Sequence, residues 1–321
     1  MRAQSGKLET VSGSGGLVTG LCALCGVQAL RVMPFRYEFK ERRLIGVRCP
    51  GCGLVFIDPR PSDDELRELY AEEYFTSCSD TCGAHGRTPY LTAVEDAGAE
   101  REAAAERLDA LLTRALGGRG RLLELGCGPG YLLAEFRRLG WEIGGLEISS
   151  YAVAHAREHL GLEIVCGDIA PGHFPGGSAD AVIMGDVLEH LPRPLDSLRT
   201  VARWLRPGGM LVVAVPSTLN LFSARLGLLV YRLTRRSKVL RIPPYHLFEY
   251  TPDTLRRMVT AAGFSVIRLR QSAVPLGRMG LRGRWAENAG KAALQVLALG
   301  TSRLFNFGGD RLLLMARRPR D

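Results

Sequence analysis

Four cysteines form two C-x-x-C pairs, and this spacing is typical of a zinc site. Two residues between paired cysteines let a tight turn direct both sulfurs at one ion, and a second turn completes the tetrahedron. The predicted zinc ligands are Cys22, Cys25, Cys49 and Cys52. A glycine follows each pair, at Gly26 and Gly53, and a positive φ there can turn backbone N–H groups toward thiolates. We predict a structural Zn²⁺ site, because four protein ligands leave no open coordination position. Disulfides or a redox pair are the alternatives.

A glycine-rich loop follows the apolar run Leu122–Leu125, and this pattern predicts a ligand site between a strand and a helix. The loop is Gly-Cys-Gly-Pro-Gly over residues 126–130. A dinucleotide loop needs a third glycine where this chain has Tyr131, and Pro129 removes an N–H donor that a diphosphate would use. Glu147 ends the next predicted strand, where a carboxylate can accept both hydroxyls of a ribose. An adenosine ligand without a diphosphate is S-adenosylmethionine (SAM).

A second acid follows the third predicted strand. Asp168 stands at the tip of that strand, where its carboxylate can accept a hydrogen bond from the exocyclic amine of adenine. The tips of parallel strands converge on one edge of a sheet, the usual ligand site of open α/β folds. The alternative for each acid taken alone is a helix N-cap.

These motifs together resemble class I SAM-dependent methyltransferases, in particular the ubiquinone-biosynthesis-like branch. The resemblance rests on Leu122–Gly130, Asp186–Leu191, Leu205–Gly209 and Tyr245–Pro252, and it covers about residues 119–321. It implies a SAM-dependent methyltransferase. By position, the implied cofactor-binding residues are Glu124, Gly126, Cys127, Gly128, Gly130, Tyr131, Glu147, Ile148, Asp168, Ile169, Asp186 and Val187.

Two histidines are the candidate catalytic bases. The sulfonium methyl of SAM is already electrophilic, so the main task of such an enzyme is to hold a nucleophile in line in a dry site. A base is needed only when the acceptor does not lose its proton easily. His190 follows the fourth predicted strand, and His246 lies in an aromatic-rich loop. Each could instead be a structural hydrogen-bonding residue beside the cofactor.

Apolar runs alternate with helical segments from residue 121 onward, which predicts βαβ units and a doubly wound sheet. The resemblance implies the Rossmann-like methyltransferase fold, with seven mostly parallel strands, and a small N-terminal zinc ribbon of a type found on bacterial members. The predicted units are a disordered lead-in over 1–18, the ribbon over 19–60, a helical linker over 61–118 and the SAM-binding domain over 119–321. In the linker, periodicity predicts helices over Glu65–Tyr74 and Ala93–Leu116.

Charge is distributed unevenly along the chain. Residues 219–321 hold 19 Lys and Arg against 5 Asp and Glu, whereas residues 1–218 hold 23 against 28. A basic C-terminal third suggests an anionic partner. The amphipathic segment Leu221–Ile242 carries six of these cations and predicts a basic cap insertion at about 219–243. It could lie on an anionic membrane or bind a lipid or phosphorylated acceptor; the alternative is a core-covering helix with outward arginine stems.

The predicted acceptor is a small molecule, with a glycan precursor, a quinone-like compound and an anionic or lipid-linked compound as the open classes. A nucleic-acid methyltransferase is disfavoured, because the ribbon has no dense Lys/Arg stripe with interleaved aromatics. A non-catalytic SAM- and zinc-binding partner protein is the third hypothesis.

No apolar run approaches the ~20 residues that span a bilayer, and the start lacks the apolar core of a signal peptide. We therefore expect a cytoplasmic protein, with peripheral membrane association left open.

Overall fold

The computed structural model describes residues 17–77, 88–234, 237–240, 243–275 and 285–320. Residues 1–16 of the predicted lead-in lie outside these ranges, as do 235–236 and 241–242 of the predicted cap insertion. The described residues form a six-stranded sheet and a seven-stranded sheet.

The N-terminal strands form an antiparallel sheet whose turns carry the four cysteines. Strands β1 to β4 are Leu17–Thr19, Ala29–Phe39, Arg42–Arg48 and Val55–Asp58. Each strand pairs antiparallel with the next. One cysteine pair lies in the connection between β1 and β2, and the other lies between β3 and β4. The ribbon predicted over 19–60 therefore contains the strands and turns that a four-cysteine site requires.

Four helices connect the two sheets. Helices α1 to α4 are Asp63–Leu69, Glu72–Thr76, Tyr90–Asp96 and Gly98–Leu116. The single helices predicted over Glu65–Tyr74 and Ala93–Leu116 were wrong, because the chain breaks at Ala71, where the backbone is extended (ψ 178°), and at Ala97. Helical periodicity continues across both breaks, so tertiary packing and not propensity sets these helix ends.

The rest of the chain contains the seven-stranded sheet, its helices and two short strands of the first sheet. Strands β5 to β9 are Arg121–Leu125, Glu142–Glu147, Ile164–Cys166, Ala179–Gly185 and Leu205–Pro216. Strands β10 to β13 are Lys238–Leu240, Phe248–Glu249, Ser265–Ser272 and Arg311–Arg317. Helices α5 to α10 are Tyr131–Arg138, Ser150–Leu160, Pro194–Trp204, Phe222–Thr234, Pro252–Ala261 and Trp285–Phe305. No helix in the described ranges has the length and apolarity needed to cross a membrane.

The seven-stranded sheet has the order β7-β6-β5-β8-β9-β13-β12. Strands β6 to β9 run parallel to β5, whereas β13 and β12 are antiparallel to their neighbours. Alternate residues of the central strands face different cores: Leu123 packs on one face with α7 and α9, and Leu122 packs on the other with α4 and α5. Both faces are thus covered by helices, which confirms the predicted doubly wound, mostly parallel fold.

Two short strands from the C-terminal half complete the ribbon sheet. Strand β11 pairs antiparallel with β4, and β10 pairs parallel with β2. The rings of Phe56 in β4 and Phe248 in β11 lie 5.8 Å apart. The ribbon is therefore joined by backbone hydrogen bonds to the segment just after His246, a connection that no local pattern in the sequence indicates.

Candidate active site and cysteine cluster

The two cysteine turns bring all four thiols together. The four Sγ atoms lie within 4.8 Å of one another, with 3.5 Å between Cys22 and Cys52 and 3.4 Å between Cys25 and Cys49. In each turn the glycine after the pair donates its N–H to the carbonyl of the first cysteine, at 3.0 Å. These glycines have φ of 73° and 81°, the left-handed conformation that the sequence predicts for them.

The donor chemistry of this cluster fits a zinc ion. Burial raises the pKa of Cys49, but the backbone N–H groups of Cys52 and Gly51 and the thiol of Cys25 outweigh it and lower that pKa to about 7. Four sulfurs on two matched turns are the ligand set of a closed tetrahedral zinc site. The cluster could therefore hold Zn²⁺ without further ligands.

The glycine loop joins β5 to α5. Gly126, Gly128 and Gly130 all have positive φ, at 63°, 53° and 81°. A Cβ on Gly126 would lie 2.5 Å from Val187, and one on Gly130 would lie 2.7 Å from Leu162. Gly126 and Gly128 line a large cavity, so they allow a ligand to approach the backbone. Gly130 instead allows α5 to pack closely on the sheet.

Two buried glutamates lie beside this loop. The carboxylate of Glu147, at the end of β6, accepts hydrogen bonds from the N–H groups of Gly128 (2.8 Å) and Ser149 (2.9 Å). Oε2 of Glu124, in β5, has no hydrogen-bond partner among the described residues. Burial and the charge of Glu147 raise the pKa of Glu124 to about 8, and burial also raises the pKa of Glu147. These acids fit SAM, because its sulfonium and ammonium charges would favour the ionised carboxylates.

Tyr90 is a cavity residue that the sequence analysis missed. It is the first residue of α3, and its hydroxyl lies 3.6 Å from where a Cβ on Gly128 would stand. Its ring contacts those of Tyr74 and Phe75, each with centroids 5.5 Å away. Burial and the nearby glutamates raise the pKa of Tyr90, so its phenol stays protonated at neutral pH. An aromatic residue at the first position of a helix, far before the glycine loop in the sequence, does not by itself indicate a residue of the site.

The predicted adenine end of the site lies on the same cavity. Ile148, Asp168 and Ile169 all line it. Asp168 stands at the rim, with its side chain 45% exposed, and Arg67 of α1 donates a hydrogen bond to Oδ2 at 2.9 Å. The helix after the ribbon therefore reaches the predicted adenine end of the site.

Four of the predicted cofactor residues are absent from the cavity lining: Glu124, Cys127, Gly130 and Tyr131. Cys127 packs in the apolar core, where its Sγ lies 3.0 Å from the Cβ position of Gly145. The hydroxyl of Tyr131 donates to Glu95 of α3 at 2.7 Å and lies 3.1 Å from Nε2 of His155. Tyr131 thus ties α3 to α5 and α6 at the surface.

Asp186 follows β8 with a strained backbone. Its φ is 54°, a left-handed value that costs energy for a residue with a side chain. Its carboxylate accepts a hydrogen bond from Arg311 of β13 at 2.8 Å. Burial raises the pKa of Asp186, and the Arg311 guanidinium offsets part of that rise. Asp186 and Val187 both line the cavity, as predicted from the resemblance.

The two predicted histidines lie together in the lining of the same cavity, beside Glu189. The ring centroids of His190 and His246 are 4.9 Å apart. Nδ1 of His190 lies 2.7 Å from the carbonyl oxygen of Tyr245 and 2.8 Å from the hydroxyl of Tyr70. Because a carbonyl can only accept, Nδ1 carries a proton. Nε2 lies 3.5 Å from Oε1 of Glu189.

The pKa values of these two histidines shift in opposite directions. Burial lowers the pKa of His190, but the Glu189 carboxylate outweighs it, so the pKa is raised. Burial and the facing His190 lower the pKa of His246 to about 4. His246 is therefore neutral at pH 7, with a free lone pair on its imidazole but the strength of a weak base. Glu189, His190 and His246 also place one ligand atom each within 4.8 Å of one another, which is a donor set that a divalent cation could use.

The N-terminal helices close the cavity with tyrosines. Tyr70 follows α1 and Tyr74 lies in α2, and their rings are 6.0 and 5.5 Å from that of Tyr245. The cavity that these residues share with the glycine loop measures about 1120 Å³. This volume exceeds the usual range of small-molecule pockets, so it can hold a cofactor together with a second molecule.

The ribbon is attached to the histidine end of the cavity. The N–H of Ile57 in β4 donates to the carbonyl of Leu247, next to His246, at 3.0 Å. Arg60 donates to the carbonyl of Pro192 at 2.8 Å, and its guanidinium lies 5.9 Å from the centroid of the Phe248 ring. The ribbon thus contacts both segments that carry the histidines.

Comparisons with known proteins find methyltransferases. A family model described as a methyltransferase domain matches residues 97–269. A ubiquinone biosynthesis O-methyltransferase of Cupriavidus pinatubonensis is 27% identical over 161 residues, 47% of this chain and 62% of that protein. A probable S-adenosylmethionine-dependent methyltransferase of Mycolicibacterium smegmatis is 30% identical over 149 residues, 45% of this chain and 52% of that protein. The chain thus spans less than two thirds of either relative. A SAM-dependent methyltransferase structure from Archaeoglobus fulgidus has 20% identity and a TM-score of 0.43, covering 66% of this chain and 94% of that one.

The family match covers more than half of the chain, which therefore belongs to the methyltransferase domain family. The sheet order, the glycine loop and the acidic strand tips define its class as the class I SAM-dependent methyltransferases. The resemblance stated from the motifs is confirmed.

Proposed function

We propose that this protein transfers the methyl group of SAM to a hydroxyl of a small-molecule acceptor. The observation that carries the proposal is a single cavity that is lined both by the glycine loop with Glu147 and by His246 with several tyrosines. The O-methyltransferase name of the Cupriavidus relative supports oxygen as the methylated atom. The acceptor classes remain those that the sequence suggested: a glycan precursor, a quinone-like compound, or a lipid-linked compound.

SAM would supply an electrophilic methyl group, and the residues of the chain would orient it and exclude water. Gly126 and Gly128 give it access to the backbone, Glu147 would hold the ribose, and Asp168 would accept from the adenine amine. Tyr90 covers the loop with a protonated phenol. The aromatic side chains of the cavity would keep the acceptor in line with the methyl group and limit the access of water to it.

His246 would take the proton of the acceptor hydroxyl at an imidazole nitrogen. Its lowered pKa keeps it neutral in the free protein, and the negative charge of Glu189 offsets part of the cost of forming the imidazolium. His190 is a positioning residue in this scheme, since its protonated Nδ1 bonds the Tyr245 carbonyl beside His246.

The four-cysteine cluster would hold one structural Zn²⁺ that fixes the ribbon. The close Sγ atoms and the matched glycine turns support this assignment. A reducing compartment keeps such thiols available for metal, so we place the protein in the cytoplasm.

The experiment is transfer of label from methyl-labelled SAM to a fractionated extract of the source organism. Label should enter a small-molecule fraction, and His246→Asn should lower the rate at least about 100-fold, the scale of general-base catalysis. His159→Asn is the matched control, because His159 is exposed on α6. Label in nucleic acid, or no loss with His246→Asn, would contradict the proposal.

A further inference from the structure

The side chain of Asp168 receives little support from its own segment. The connection between β7 and β8, over residues 167–178, contains no helix that could hold it. Within the described ranges, Arg67 of α1 is the one hydrogen-bond donor to this carboxylate, and it lies 101 residues earlier in the chain. The carboxylate of Glu147, by contrast, accepts two backbone N–H groups. The orientation of Asp168 therefore depends on Arg67.

The guanidinium of Arg67 is held between two carboxylates. One terminal nitrogen donates to Oδ2 of Asp168, and the other donates at 2.8 Å to Oδ1 of Asp64, earlier in α1. Because the guanidinium is planar and bonded at both ends, its orientation is fixed, and it fixes that of the Asp168 carboxylate. Oδ1 of Asp168 accepts no hydrogen bond from the residues that the structure describes. This oxygen is therefore available to the amine of adenine.

Helix α1, which carries Arg67, is itself anchored to the methyltransferase domain. Leu66 is buried in the apolar core. Asp63 accepts a hydrogen bond from Arg193, just before α7, at 3.1 Å. At the first turn, Ser62 and Glu65 form a capping box, in which each side chain accepts from the backbone N–H of the other. The helix thus provides a firm base for an arginine that reaches across to the loop after β7.

The ribbon also holds α1, through the turn between β2 and β3. Arg42 donates to both carboxylate oxygens of Glu65, at 2.5 and 2.6 Å, and Lys40 forms an ion pair with Glu68. Lys40 and Glu41 have φ of 45° and 60°, left-handed values that cost energy for residues with side chains. This strained turn places two cations of the ribbon on the helix that carries Arg67.

We propose that Arg67 is a positioning residue for the cofactor, which holds the Asp168 carboxylate in the orientation that accepts the adenine amine. The ribbon contributes to this recognition because Arg42 and Lys40 hold α1. The inference rests on the adenine contact proposed above for Asp168. It concerns the choice of base as well as affinity, since a correctly oriented carboxylate accepts from an amine and repels a carbonyl oxygen.

The test is calorimetric titration of the full chain with S-adenosylhomocysteine and with S-inosylhomocysteine, in which a carbonyl oxygen replaces the adenine amine. The unaltered protein should prefer the adenosyl ligand at least about 20-fold. Arg67→Ala should lower this preference at least about five-fold, whereas Arg67→Lys should keep it within about two-fold, because an ammonium can still bond Oδ2. Exposed ion pairs add little to stability, so these variants should fold. General loosening of α1 would weaken both ligands equally and leave the preference unchanged.

A double-mutant cycle shows whether Arg67 acts through Asp168. Asp168→Asn should remove most of the preference, and adding Arg67→Ala to it should cause no further loss. Arg42→Ala should lower the preference about two-fold, by the same route. Arg157→Ala is the matched control, because Arg157 forms an equally exposed ion pair with Glu163, at 3.1 Å, on α6. This control should keep the full preference.

Two results would contradict the inference in different ways. If Asp168→Asn loses the preference and Arg67→Ala keeps it, the positioning role of Arg67 is wrong and the proposed adenine contact stands. If Asp168→Asn keeps the preference, the adenine contact of Asp168 is wrong, and the role of Arg67 is wrong with it. An unchanged preference in Arg42→Ala would overturn the contribution of the ribbon.

Discussion

Binding of SAM should release a proton from the protein. In the free protein, burial and the charge of Glu147 raise the pKa of Glu124 to about 8, so this carboxyl is mostly protonated at pH 7. The two cationic groups of SAM favour the ionised form, so roughly 0.9 proton should leave per SAM bound at pH 7. Because the group must lose its proton on binding, affinity should fall as pH falls below 8. The loss approaches ten-fold per pH unit, so affinity at pH 6 should be about 50-fold lower than at pH 8.

The assay is isothermal titration calorimetry of SAM in buffers with different ionisation enthalpies, which counts the protons released. Glu124→Gln removes the titrating group, so proton release should fall by more than half and affinity should lose most of its pH dependence. Glu249→Gln is the matched control, because burial raises the pKa of Glu249 to about 7 but the residue lies in β11 of the ribbon sheet. Binding without proton release, or unchanged release in Glu124→Gln, would refute the reasoning.

Four further predictions concern the cofactor, the metal, the link between ribbon and site, and the fold. Glu147→Gln should weaken SAM binding about ten-fold or more in calorimetry, since a bidentate acceptor is lost; an unchanged dissociation constant would mean that this acid does not hold the ribose. Metal analysis should find about one zinc per chain, and clearly less in Cys49→Ser; equal zinc in both would remove the ribbon site. Arg60→Lys should lower kcat several-fold and leave SAM affinity unchanged, because it loses the Phe248 contact and weakens the bond to Pro192; an equal loss of SAM affinity would point to general unfolding. Gly130→Ala should lower the free energy of unfolding by at least about 1 kcal/mol in urea titration, because φ is 81° and Leu162 is too close; an unchanged midpoint would contradict this account of the loop.

Features that depend on neighbours in sequence were predictable. The cysteine turns follow from residue spacing, and the glycine loop with Glu147 follows from a strand, a loop and the acid at the next strand tip. Buried parallel strands have continuous apolar runs, which is why β5 and β8 could be recognised from sequence. Parts of the site that are built from one short segment of the chain can therefore be predicted from the sequence.

Features that depend on distant packing were not predictable. Tyr70 and Tyr90 reach the cavity only because the N-terminal helices fold back over the sheet, and a helical pattern does not show where its residues point. The pairing of β11 with β4 is likewise a long-range contact between two short strands. The pKa of His190 is raised and that of His246 is lowered because of Glu189 and of burial. Sequence periodicity encodes neither of these.

Equilibrium dialysis with methyl-labelled SAM tests the central claim most directly. The account predicts one SAM bound per chain, displaced by S-adenosylhomocysteine and not by NAD, because the loop with Pro129 and Tyr131 lacks the diphosphate fingerprint. Absence of binding, or displacement of SAM by NAD, would contradict it.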